Sequence, residues 1–257
     1  MPKVAVVFGS GLGATWLQRH PKTLSIPYEG IPHYFKNTVE GHGGRFLFSN
    51  EFSQPCLFAD GRFHYYEGYS MEEVVYPIRL FKTLGVETLI LTNSAGGLNP
   101  QYKRGDLVLV SDHINLTGEN PLRGVNEKSF GPRFPDLSSA YSSHLRKALQ
   151  KLSKQLKINV KNGVYVGIAG PSYETPAEIK MFRKLGGDLI GMSTVPEVIA
   201  AAHLGLKTAV ISCVTNKLLP LSKLALSHDQ VVKAAQESQE KLYKILTTFL
   251  KHPDYEK

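Results

Sequence analysis

Short apolar runs rich in β-branched residues recur along the whole chain, at residues 4–8, 45–48, 55–59, 88–92, 107–111, 164–168 and 208–214. Several are followed by stretches with helical periodicity. That pattern predicts strands buried on both faces of an α/β sheet, since a sheet wet on one side would alternate apolar and polar residues. A chain of 257 residues that is 42% hydrophobic can bury a sizeable core, and a single α/β domain over residues 1–257 is the expectation.

Helix boundaries are legible in places. Thr175-Pro176-Ala177-Glu178 and Thr194-Val195-Pro196-Glu197 both read as capping boxes with proline in the first turn, and Gly186 and Gly205 stand where those helices should stop. A last helix from about Asp229 carries Val231, Ala235, Leu242, Ile245, Leu246 and Phe249 on one face. Residues 118–139 hold Pro121, Pro132 and Pro135 among glycine, asparagine and charged residues. They read as a long ordered excursion, of the kind that serves a site or an interface.

The formal charge of +8 would suit an anionic partner. The densest basic stretch, from Arg146 to Lys161, is however interleaved with Leu145, Leu149, Leu152 and Leu156 at helical spacing, which places the bases on the solvated back of an amphipathic helix. Nucleic-acid binding is therefore not expected. Cys56 and Cys213 lie far apart within apolar runs and read as buried free thiols, and the histidines show no metal-ligand spacing. The first apolar run is too short for a signal-peptide core or a membrane span, so a cytoplasmic protein is expected.

The chemistry-bearing segments follow predicted strands. Gly9-Ser10-Gly11-Leu12-Gly13 offers backbone N–H groups and a hydroxyl to an anion ahead of a helix. With Glu29 beyond, it also meets the loose dinucleotide fingerprint, although Pro21, Pro27 and Pro32 crowd the place of the strand that should deliver the acid. In Gly61-Arg62-Phe63-His64-Tyr65-Tyr66-Glu67, an extended backbone puts Arg62, His64 and Tyr66 on one face; these suit a phosphate or carboxylate, or else form an edge strand with an ion pair to Glu67. His42 and Arg45 flank a glycine turn that either closes over an anion or is a plain hairpin. Asn93-Ser94-Ala95-Gly96-Gly97 permits close ligand approach or is simply a tight strand-to-loop turn. Tyr173 and Glu174 precede one capped helix and could cover and bind a planar base, or serve as packing and a helix-entry acid. Met192 and Ser193 precede the other capped helix. Asn216 ends the run at residues 208–214, and its amide can donate to one ring atom and accept from another.

Together, G-S-G-L-G, G-R-F-H-Y-Y-E-G-Y, N-S-A-G-G-L-N, G-P-S-Y-E-T, G-M-S-T-V-P-E-V and T-N-K make the chain resemble the trimeric, low-molecular-mass class of purine nucleoside phosphorylases, from Val4 to the last helix. The resemblance implies a mixed central β-sheet flanked by helices. It implies a phosphate site of Ser10, His42, Arg62, His64, Ser94 and Ser193. It places Tyr66, Met192 and His228 at the ribose and Glu174, Tyr173, Thr215 and Asn216 at the purine, with Asn216, Glu174 and His64 closest to the chemistry. Phe134 matches the phenylalanine that closes a neighbouring subunit's sugar pocket in a homotrimer. The implied reaction is reversible phosphorolysis of 6-oxopurine nucleosides in purine salvage, with inorganic phosphate as co-substrate and no cofactor. The related methylthioadenosine phosphorylases carry Asp at the place of Asn216 and favour a 6-amino purine. Ser94 and Tyr173 replace Ala and Phe of the mammalian members, a departure that bears on base selectivity.

Overall fold

The computed structural model describes residues 1–20, 23–31, 34, 43–218 and 228–252, leaving out the side chains of residues 14, 17 and 228–237. In chain order the strands are β1 (Val4–Phe8), β2 (Leu24–Pro27), β3 (Arg45–Ser49), β4 (Cys56–Asp60), β5 (Thr88–Gly97), β6 (Leu107–Leu116), β7 (Val160–Ile168), β8 (Leu189–Gly191) and β9 (Lys207–Lys217). The helices are α1 (Ala14–Arg19), α2 (Met71–Thr83), α3 (Ser143–Gln155), α4 (Pro176–Lys184), α5 (Val195–His203) and α6 (His228–Lys251).

Alternation along β1 shows how the sheet is covered. Ala5 and Val7 enter an apolar cluster with Val75 and Ile78 of α2 and Val198 of α5. Val4, Val6 and Phe8 enter another with Trp16 of α1, Leu149 of α3 and Leu246 of α6. Both faces are dry, as the continuous apolar runs require.

The strands form one mixed nine-stranded sheet in the order β2-β3-β4-β1-β5-β8-β7-β6-β9, and β9 pairs again with β5. The last five strands therefore curl into a ring, while β4, β1, β5 and β9 lie parallel to one another across the middle. Parallel strands end on the same edge of a sheet, so the segments that follow β1, β4, β5 and β9 converge.

Two strands escape the sequence pattern. Leu24, Ser25, Ile26 and Pro27 of β2 are all exposed at the sheet's edge, where proline is tolerated and no apolar face is needed. β8 has only three residues. In the other direction, β5 runs on through Gly97, so residues 93–97 are strand and not the tight turn that was one reading of them.

Both capped helices form where expected. Thr175 and Glu178 exchange bonds at the start of α4, with Glu178 N–H on Thr175 Oγ1 at 3.2 Å and Thr175 N–H on Glu178 Oε2 at 2.7 Å. Gly186 and Gly205 take the left-handed conformation beyond α4 and α5. Residues 118–139 contain no helix or strand, but Arg133 Nη1 holds the excursion together by donating to the carbonyls of Leu122 at 3.0 Å and Gly124 at 2.8 Å. Both cysteines are buried, and neither is in a disulfide. Among the described residues no helix is long and apolar enough to cross a membrane, and no group of His, Cys, Asp and Glu could hold a metal ion.

Candidate active site

A cleft opens where the strand ends converge. One part of its wall comes from Ser10, Arg62, His64, Ser94 and Ser193, and the other from Tyr66, Tyr173, Glu174, Met192, Thr215 and Asn216. Segments spread across the sequence from residue 10 to residue 216 thus meet in one cavity.

The first part holds the Arg62 guanidinium and is tightly braced. Arg62 is buried; its Nε donates to Glu197 Oε1 at 3.1 Å and its Nη1 to the Thr92 carbonyl at 2.8 Å. His64 has Nδ1 and its backbone N–H both 2.9 Å from Glu67 Oε1. Its ring stacks on Tyr66 with centroids 4.7 Å apart. Burial pushes the His64 imidazole below its usual range, a shift that the Glu67 bond opposes. The glycine loop after β1 lies against β5: a Cβ at Gly9 would come within 2.7 Å of Asn93 Cα, which is why glycine stands there. Ser94 Oγ completes the contact by donating to the Ser10 carbonyl at 3.3 Å.

At the other pole, β9 carries a bulge. Ala95 and Gly96 of β5 face Val214 and Asn216, so Thr215 is the extra residue. Successive residues of a regular strand point to opposite faces, and a bulge is the device that re-aims one of them. Here it lets Thr215 and Asn216 line the cleft together. Thr215 Oγ1 lies 2.8 Å from Asn216 Oδ1 and 3.3 Å from the Ala95 carbonyl. The nearer acceptor takes the hydroxyl proton, which leaves the Asn216 NH2 group for a ligand. Burial raises the Glu174 carboxyl above its usual range, and the neighbouring Glu178 adds to the shift.

A scan of protein families matches the phosphorylase superfamily over residues 3–251. Purine nucleoside phosphorylase 1 of Bacillus subtilis is 45% identical over 95% of this chain and 90% of its own. The chain belongs to the purine nucleoside phosphorylase family. Isoform 2 of the Schistosoma mansoni purine nucleoside phosphorylase, in complex with cytosine and ribose-1-phosphate, superposes with a TM-score of 0.92 at 39% identity over 98% of this chain and 90% of that one. A Schistosoma mansoni purine nucleoside phosphorylase in complex with inosine gives 0.91 at 39% identity, over 98% and 91% of the two chains. Phosphorolysis of purine nucleosides is the reaction of this family, and the chain is one of its enzymes.

Phosphorylase membership and the topology together remove the dinucleotide reading of the glycine loop. A dinucleotide fold would place the strand after α1 beside β1, whereas β2 lies three places away and antiparallel to β3, with Glu29 exposed beyond it. Glu67 is hydrogen-bonded to His64 and not ion-paired with Arg62, whose buried partner is Glu197. His42 lies outside the described residues, as does the side chain of His228 at the start of α6. Phe134 does not line its own chain's cleft and is 88% exposed.

The capping-box pattern marks Thr194 and Glu197 as helix caps, and no motif marks Tyr165. That tyrosine is wholly buried beneath the cleft floor, where a Cβ on Gly191 would meet its hydroxyl at 2.1 Å. Burial pushes its phenol up to about 12. A lone tyrosine in an apolar strand carries no signal of such a neighbour.

Proposed function

We propose that this enzyme cleaves 6-oxopurine nucleosides, inosine and guanosine with their deoxy forms, to the free purine and (deoxy)ribose 1-phosphate, as a cytoplasmic step of purine salvage. The observation that carries the reading is the pairing of Glu174 with a Thr215-oriented Asn216 in the same cleft as the Arg62, His64 and Ser193 cluster.

Breaking the N-glycosidic bond builds positive charge on the ribose and negative charge on the departing base. Phosphate answers the first, as nucleophile and counter-charge, and Ser10, Arg62, His64, Ser94 and Ser193, with His42, are the residues we assign to it. No metal or organic cofactor is then required by the chemistry. Tyr66, Met192 and His228 are assigned to the sugar, and Tyr173 to packing on the base. Asn216 NH2 donates to purine N7 as charge gathers on the imidazole ring, while Glu174 accepts the N1–H. The exposed Phe134, carried on the braced excursion, is free to close a neighbouring sugar pocket, which supports a homotrimer.

The 6-oxo preference follows from donor and acceptor matching. A 6-oxopurine presents N1–H to Glu174, whereas adenine presents a bare N1, and two facing acceptors leave both unsatisfied. Glu174 is raised above its usual range, so acid reverses this match before it would for an ordinary glutamate. Above its pKa the carboxylate accepts N1–H; below it the neutral carboxyl donates to adenine N1. The kcat/KM ratio of inosine to adenosine is therefore expected to fall as the solution is acidified, starting at a higher pH than an ordinary glutamate would set. Glu174→Gln, which does not titrate, should flatten that dependence. A ratio independent of pH in the wild type would contradict the assignment.

Asn216→Asp tests the same pole without changing pH. An aspartate must share a proton with N7 of either base, but its acceptor oxygen suits the 6-amino donor of adenosine and faces the 6-oxo acceptor of inosine, so the change should shift the inosine to adenosine ratio towards adenosine by about tenfold, about one hydrogen bond of discrimination. Equal loss of both activities would remove the specificity argument.

A further inference from the structure

Thr194 is wholly buried, β-branched, and held at φ 72° and ψ −51°. The Val195 N–H donates to the Ser193 carbonyl across it at 2.7 Å, which makes residues 193–195 a γ-turn of the rare, strained hand. Among the described residues the other non-glycine with positive φ is Lys157, just past α3, where a left-handed residue is ordinary. Glycine would make the Thr194 turn without strain. What threonine adds is its hydroxyl, and that hydroxyl is fully engaged.

Asn93 Nδ2 donates to Thr194 Oγ1 at 2.9 Å, and Ser193 Oγ lies 3.1 Å from the same oxygen. The Thr194 N–H donates to Glu197 Oε2 at 3.0 Å, while the other oxygen of that carboxylate takes Arg62 Nε at 3.1 Å. Asn93, Thr194, Glu197 and Arg62 are all buried. A single strained turn thus links β5, the Ser193 hydroxyl and the Arg62 guanidinium.

We propose that Thr194 is a positioning residue for phosphate: the strained turn, held by Asn93 from one side and Glu197 from the other, fixes the Ser193 hydroxyl and the Arg62 fork in one frame. This rests on the assignment of Arg62 and Ser193 to phosphate made above. Pre-set geometry of this kind changes how well the anion is bound and aligned, and leaves the purine pole alone.

The test is steady-state kinetics of Thr194→Gly, Thr194→Ser and Arg62→Ala with inosine and phosphate varied separately, beside thermal melting. Thr194→Gly keeps the turn and deletes the hydroxyl; it should raise the phosphate KM about tenfold, the scale of one lost hydrogen bond, with the inosine KM within about threefold of wild type. Thr194→Ser restores the hydroxyl and should return the phosphate KM to within about twofold. If Thr194→Gly does not fold, Asn93→Ala removes the donor from β5 and should give the same split. An unchanged phosphate KM in Thr194→Gly, or an equal rise in both KM values, overturns the proposal. Arg62→Ala separates the two layers. If it too leaves the phosphate KM unchanged, the phosphate assignment falls and this inference falls with it. If it raises the phosphate KM while Thr194→Gly does not, only the positioning role is lost.

Discussion

Asn216→Ala is expected to lower kcat for inosine phosphorolysis by about 10²- to 10³-fold, equivalent to about 2.7–4 kcal/mol, the measured scale for deleting one preorganised donor from a site of developing charge. The reason lies in the β9 bulge. Thr215 occupies Asn216 Oδ1 at 2.8 Å, so the NH2 group is set before substrate arrives and needs no reorganisation in the transition state. Asn216 is half-buried near a strand end, so the melting temperature should stay close to wild type. A loss confined to KM would show that the amide binds the ground state and transition state equally, and would remove its catalytic role.

The largest effect on stability should come from Glu197→Ala. Arg62 and Glu197 are each about 3% exposed and 3.1 Å apart, so deleting the carboxylate strands a guanidinium out of water and also removes the acceptor of the Thr194 N–H. Removing one partner of a buried ion pair costs about 3–5 kcal/mol. For a chain of this size that lowers the melting temperature on the order of 10 °C. Replacing both partners, as in Arg62→Met with Glu197→Leu, should recover part of the melting temperature, because no charge is then left stranded, while the Thr194 N–H still lacks its acceptor. Phosphate-dependent turnover should not recover. A single Glu197→Ala variant that melts like wild type would show that Arg62 finds another partner.

The parts of the molecule that repeat a simple pattern were legible in the sequence. The runs that became β1, β3, β4, β7 and β9 are apolar because both faces of the sheet are covered, and α4, α5 and α6 announced themselves through caps and periodicity. β2 stayed hidden because an edge strand exposed on every residue has no hydrophobic signature. The loop residues around the cleft were identified as a set by motif, yet their motifs do not say how they are held. That Thr215 shares the cleft with Asn216 depends on one extra residue in a β-ladder, and pairing register is not written in a single strand. Glu197 looked like half of a capping box, which it is; its second oxygen serves Arg62, a partner 135 residues distant. A local motif explains one of its bonds and is silent on the other.

The proposed function requires phosphate as the nucleophile, bound at the Arg62 pole, with the purine at the Asn216 pole. The direct test is to incubate the enzyme with inosine, with and without inorganic phosphate, and to assay hypoxanthine, free ribose and ribose 1-phosphate. Hypoxanthine and ribose 1-phosphate in equal amounts, only when phosphate is present, is the predicted result. Hypoxanthine with free ribose in the absence of phosphate, or no cleavage under either condition, would contradict it.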